Sequence, residues 1–126
     1  MYMKKMFLII FVSVLLAGIV FVLVASCVNL DKIVITNPNF QELKDGTFQG
    51  NSKVGPVRVT LNVTVRNRAI TFIEIVEHFN GRGKKAEEIV PLIIEKQSLE
   101  VDVISGATGS SKAILKAVED ALRQQN

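Results

Sequence analysis

Hydrophobic and polar positions divide this chain into two parts. From Met6 to Val28 the sequence MFLIIFVSVLLAGIVFVLVASCV holds no charged residue. About 20 apolar residues let a helix span a bilayer, and this run is slightly longer. The apolar core of a signal peptide is only about 7 to 15 residues, so the pattern predicts a transmembrane helix over 6–28. Beyond it, VRVTLNVTVR (Val57 to Arg66) alternates without a fault. Val57, Val59, Leu61, Val63 and Val65 fall on one face, and Arg58, Thr60, Asn62, Thr64 and Arg66 on the other. That two-residue period predicts a strand with one buried face. Asn67-Arg68 supplies a tight turn and AITFIEIVEH (Ala69 to His78) returns as a second strand, giving a hairpin.

The flanking segments are less regular. Asn29 to Lys44 form a connector with a β-type patch, KIVIT, and the turn-prone Asn37-Pro38-Asn39. DGTFQG (Asp45 to Gly50) reads as a short strand between turns marked by its glycines. HFNGRGKK (His78 to Lys85) is a loop. Ala86 to Gln97 has helical character, but Pro91 suits a first turn better than a helix middle. A break is therefore expected at Pro91, with PLIIEKQ as a short helix. SLEVDVIS, with Leu99, Val101 and Val103, is a candidate last strand. Ser111 to Gln124 places Ile114, Leu115, Val118, Ala121 and Leu122 on one stripe, with Lys112, Lys116, Glu119, Asp120 and Arg123 elsewhere. The expected fold class is α+β: a small antiparallel sheet with helices packed on one face, preceded by one N-terminal transmembrane helix. The chain divides into a short N-terminus (1–5), an anchor (6–28), a connector (29–44) and a domain (45–126).

Charge orients the anchor. Lys4 and Lys5 precede the apolar block, so the positive-inside bias keeps 1–5 in the cytoplasm and sends the remainder across the membrane. Val24-Ala25-Ser26-Cys27 resembles a lipobox. A lipoprotein anchored at Cys27 is thus the alternative to a retained single-pass helix, and both place the domain outside the cytoplasm. The whole chain carries +3; without Lys4 and Lys5 it has 13 basic and 12 acidic residues, a net of +1. That is no footprint for nucleic acid.

The usual catalytic sets are missing. One cysteine and one histidine exclude an intrachain disulfide, a thiolate cluster and a histidine-based metal site. Ser105, His78 and Asp102 have no spacing that supports a triad. Asn62-Val63-Thr64 matches a glycosylation sequon but lies mid-strand. Neither catalytic nor metal-ligating residues are expected, and about 80 residues leave room for one shallow ligand site.

DVISGATGSS (Asp102 to Ser111) lies directly before the last helix. A helix start presents unpaired amides and the positive end of the macrodipole. Thr108, Ser110 or Ser111 can cap it, and small neighbours also allow an anionic phosphate to approach. From the residues alone, a plain N-cap and a phosphate site both remain open.

Asp102-Val103-Ile104-Ser105-Gly106-Ala107-Thr108 resembles the flavinylation motif of FMN-binding domains, D-x-x-[ST]-G-A-[TS]. Related domains occur in the C subunit of the sodium-pumping NADH:quinone reductase and the G subunit of the Rnf complex. The similarity runs from DGTFQG through the hairpin to the amphipathic helix, residues 45 to 122. It implies FMN esterified through its phosphate to Thr108, installed from FAD by a flavin transferase using Mg²⁺. Asp102 matches the acidic position of the motif. Gly106 and Ala107 would permit backbone approach, and Ser105, Ser110 and Ser111 would donate to phosphate. HFNGRGKK is shorter than the corresponding loop of many relatives. His78 near it is either a contact of the isoalloxazine ring or a solvent-facing strand end. The implied function is a membrane-anchored, extracytoplasmic electron carrier of bacterial type, rather than a stand-alone enzyme, served by a membrane redox complex or a quinone-linked donor. The alternatives are a non-redox anchored binding or assembly domain and a small flavin enzyme with reversibly bound FMN.

Overall fold

A computed structural model of the full chain describes residues 2–28, 33–79 and 83–125, with side chains omitted for 23–28. The lipobox side chains, the start of the connector (29–32) and the middle of the HFNGRGKK loop (80–82) lie outside the described residues. The chain forms two compact units, Met1–Lys32 and Ile33–Asn126.

The first unit is a helix, α1 (Tyr2–Val28). It starts at Tyr2, so Lys4 and Lys5 lie in its first turns rather than before it. Within it, Tyr2–Val22 is long and apolar enough to cross a membrane.

The second unit is built on a three-stranded antiparallel meander, β1 (Gly46–Val54), β2 (Val57–Arg66) and β3 (Ala69–Phe79), in the order β1-β2-β3. The alternation in β2 is realised residue by residue: Val59, Leu61, Val63 and Val65 are fully buried. Leu61 pairs with Gly50 and Ile75, and Val63 with Phe48 and Ile73. Asn67 and Arg68 both adopt positive φ, at 53° and 61°, as a two-residue hairpin turn of the primed type requires. SLEVDVIS adds no strand: residues 100–103 have no regular structure, and among the described residues the sheet has three strands.

Helices cover one face. After a 3₁₀ segment (Gly83–Glu88), α2 runs over Ile89–Lys96, and α3 over Thr108–Arg123. Pro91 does not start α2. It sits at the third helical position, where the missing N–H still forfeits no intrahelical bond, so the break falls two residues earlier than expected. Gln97 ends α2 in the left-handed conformation. Its amide donates to the carbonyls of Ile94 and Ile70, at 2.6 and 2.7 Å, and its Oε1 accepts from Ile70 N at 2.8 Å. One side chain thereby pairs with both backbone groups of an edge-strand residue.

The helix α3 is buried on more than its apolar stripe. Glu119 is only 2% exposed, although its sequence position suggests a solvated face. Lys116 Nζ reaches its Oε2 at 2.8 Å, and Arg123 approaches Oε1 at 2.7 Å as an ion pair rather than an aligned hydrogen bond. Lys116 also donates to the carbonyl of Val34. Leu99 N donates to Asn37 Oδ1 and Lys44 N to Gln125 Oε1. The stretch from Ile33 to Asp45 is therefore pinned along the domain and belongs to its compact unit.

Gly50 sets how close α3 comes. It lies in the middle of β1 rather than in a turn, and its φ is not in the left-handed region. A Cβ at this position would collide with the Ala117 carbonyl and lie 2.8 Å from Ala121 N. Ser52 Oγ donates to the Ala113 carbonyl at 2.5 Å, and Asn51 N donates to Asp120 Oδ2 at 3.0 Å. Because the obstruction is backbone, a side chain cannot be accommodated by rotamer change. Gly50→Ala is expected to lower stability by about 2 kcal/mol or more, the upper range of overpacking effects. Urea unfolding checks this, and an unchanged midpoint would contradict the packing described.

Candidate functional site

The α3–β1 contacts determine where the start of α3 falls. Moving from Gly50 to Ser52 along β1 moves the contact on α3 back from Ala117 and Ala121 to Ala113. Strand and helix therefore run in opposite directions. From Ala113 to Thr108 the helix rises about 7 Å, and from Ser52 to Val54 the strand advances about 7 Å. Thr108 thus lies level with the β1–β2 turn, Gly55-Pro56. β3 reaches the same end with His78 and Phe79, which oppose Val59 and Arg58. The 3₁₀ segment that follows packs against α3. One end of the domain accordingly gathers the hairpin turn, the close of β3 and the loop before α3.

That loop has a defined shape. Ala107 N donates to the Ile104 carbonyl at 2.9 Å, closing a four-residue turn over Ser105 and Gly106. Gly106 has φ 80°, the value a type II turn demands at its third residue. The first helical bond then runs from Ser111 N to the Ala107 carbonyl, also 2.9 Å. Ala107 is the N-cap, with no side-chain cap hydrogen bond. None of the three hydroxyls expected to cap the helix does so: Thr108 stands at its first position, Ser110 at its third and Ser111 at its fourth.

The candidate residues separate by direction. Asp102, Ser105, Gly106 and Thr108 are exposed. Ala107, Ser110 and Ser111 are buried, at 7, 6 and 0% exposure. Ser111 Oγ accepts from Ile104 N at 3.0 Å and donates to the Ala107 carbonyl at 2.7 Å. Its only proton is therefore committed inside the protein. Of the two apolar residues before the turn, Ile104 is half-buried and Val103 is exposed. His78 is neither a solvent-facing strand end nor turned toward the open face of the sheet. Its side chain is 3% exposed, with Nδ1 3.1 Å from Glu87 Oε1. The open face cannot hold it, because its partner Val59 is on the core side. A register shift in β3 between the partners of Thr60 and Leu61 causes this.

The donors present suit a phosphate ester. A hydroxyl is exposed at the first position of a 16-residue helix, where backbone amides and the macrodipole favour an anion. No side chain caps that first turn among the described residues. The space a Cβ of Gly106 would occupy is open to at least 4 Å. The described residues bring no group of three or more His, Cys, Asp or Glu together in metal-binding geometry. Residues that matter to this geometry without a sequence signal include Gly50 and Ser52, whose partners lie more than 60 residues away.

Residues 53–123, more than half of the chain, match the FMN-binding domain family. An uncharacterized protein of Treponema pallidum (strain Nichols) is 33% identical over 86 residues, covering 66% of this chain and 24% of its own length. The chain thus spans about a quarter of the length of the curated relative it matches.

The turn makes a separate prediction. Since nothing crowds Gly106, Gly106→Ala meets only the conformational penalty of a left-handed L-residue, about 1–2 kcal/mol. Denaturant unfolding is expected to show a loss of that size with an unchanged slope. A variant as stable as the wild type would contradict the turn geometry.

Proposed function

The chain belongs to the FMN-binding domain family, and from that premise we propose that it is a membrane-anchored flavoprotein carrying FMN in phosphoester linkage on Thr108. That it is a flavin-binding protein follows from the family; the linkage, the orientation and the redox role are this proposal. The observation that carries the linkage is the exposed Thr108 hydroxyl at an uncapped helix start. The same position ends the SGAT sequence, Ser105 to Thr108.

Attachment involves no redox change. Thr108 Oγ forms a bond to the flavin-side phosphorus of FAD, the pyrophosphate bond breaks, AMP leaves, and the hydroxyl proton passes to a base of the transferase or to solvent. A flavin transferase with Mg²⁺ is the partner this step requires. Thr108, Gly109 and Ser110 amides in the first turn are aimed to receive the phosphate. Asp102, exposed six residues before Thr108, assists the transferase or shapes the loop in this reading, rather than touching the redox end of the flavin. Bound FMN supplies electron-transfer chemistry, and the protein supplies tethering, orientation and electrostatics.

The anchor gives this linkage a purpose. α1 contains one segment able to cross a membrane, and Lys4-Lys5 favour an inside N-terminus. A domain outside the cytoplasm would lose a dissociable cofactor to dilution, whereas an esterified one stays. Beside a membrane redox complex or quinone-linked donor, such a domain passes electrons to an external acceptor.

Co-expression with a flavin transferase, followed by denaturing electrophoresis, tests the proposal. In-gel flavin fluorescence is expected for the wild type and for Thr108→Ser, and is expected to be absent for Thr108→Ala. Thr108→Ala should keep its unfolding free energy within about 0.5 kcal/mol, as an exposed substitution does. Flavin absorbance that disappears on denaturation would indicate reversible binding instead. No flavin under either condition, with an active transferase, would leave an anchored binding domain.

A further inference from the structure

Sequence places Ser111 among the residues that could donate to phosphate, and the structure places it elsewhere. A hydroxyl has one proton to donate and lone pairs to accept. Ser111 donates that proton to the Ala107 carbonyl and accepts from Ile104 N, with no exposed surface. The Ile104 carbonyl in turn accepts from Ala107 N. Residues 104 and 107 are therefore held through both their N–H and their C=O groups. Ser105 and Gly106 are forced outward between them, and Thr108 is the next residue along the chain.

We propose that Ser111 is the positioning residue for Thr108, shaping the turn from beneath so that the first-turn amides need no side-chain cap. This rests on attachment at Thr108. A serine or aspartate at the N-cap would bond to the amides of the second or third helical residue, the groups a phosphate needs. Ala107 cannot do so, and Ser111 fixes the turn without using those amides. Alanine at 111 supplies neither half of the bracket and leaves Ile104 N–H without its partner. Threonine keeps both halves.

The turn is presented to a separate transferase, and prior ordering of a reacting group is worth large factors: small misplacements can lower rates by about a hundredfold. With full-length protein, purified transferase and FAD, the initial rate of FMN incorporation is followed by intact mass. Ser111→Ala is expected to fall by about tenfold or more, and Ser111→Thr to recover most of the loss. Hydrogen exchange at the Ile104 amide should quicken in Ser111→Ala alone. Val63→Ala, a core change in mid-sheet, serves as the destabilised control and should incorporate FMN at close to the wild-type rate. Ser111→Ala modified at the wild-type rate would overturn the positioning role, as would Val63→Ala losing as much. A wild type that takes no FMN would instead overturn attachment itself, and is recognised because no variant then differs from it.

Discussion

The end of the domain that carries Thr108 depends on one close approach, the backbone of α3 lying directly on Gly50 of β1. With no side chain between them, the Ala117 carbonyl and Ala121 amide rest against the strand, and small residues, Ala113, Ala117 and Ala121, form the facing surface. Once that contact is fixed, the pitch of helix and strand leaves Thr108 no other level than the end of the sheet with the Gly55-Pro56 turn. The hydrogen bonds from Ser52 and Asn51 to α3 hold the same register from either side. A shift of α3 by one turn would move Thr108 by about 5 Å and break all three.

The loop before α3 shows a division of labour between exposed and buried groups. What faces outward, the Asp102 carboxylate and the Ser105 and Thr108 hydroxyls, is open to solvent. What faces inward, Ser111 above all, is committed to the backbone. The same economy appears at Gln97, whose side chain completes the hydrogen bonding of Ile70. In both places a polar side chain completes the backbone hydrogen bonding of another segment.

Much of this was legible in the sequence. The unbroken alternation of β2 and the Asn67-Arg68 turn predict the hairpin because a two-residue period and two turn residues are local properties. The apolar stripe of α3 and the charge-free block of α1 are local in the same sense. What escaped is non-local. Gly50 looks like a turn residue until the helix above it is known. Glu119 looks solvated until Lys116 and Arg123 are seen to enclose it. His78 looks like a strand-end residue on the wet face until the register shift in β3 turns it inward. SLEVDVIS has the composition of a strand, yet no strand edge takes it up. In the loop before α3, the sequence groups Thr108 with Ser111, and only the hydrogen bonds and burial separate Ser111, bonded to Ile104 and Ala107, from the exposed Thr108.

The most direct test of attachment at Thr108 is site-localised mass spectrometry on protein co-expressed with a flavin transferase. Trypsin cutting after Lys96 and Lys112 releases one peptide with Ser98, Ser105, Thr108, Ser110 and Ser111. Fragmentation is predicted to find the mass of FMN less one water on Thr108 alone. The same mass on any of the four serines, or an unmodified peptide from a flavin-containing protein, would contradict it.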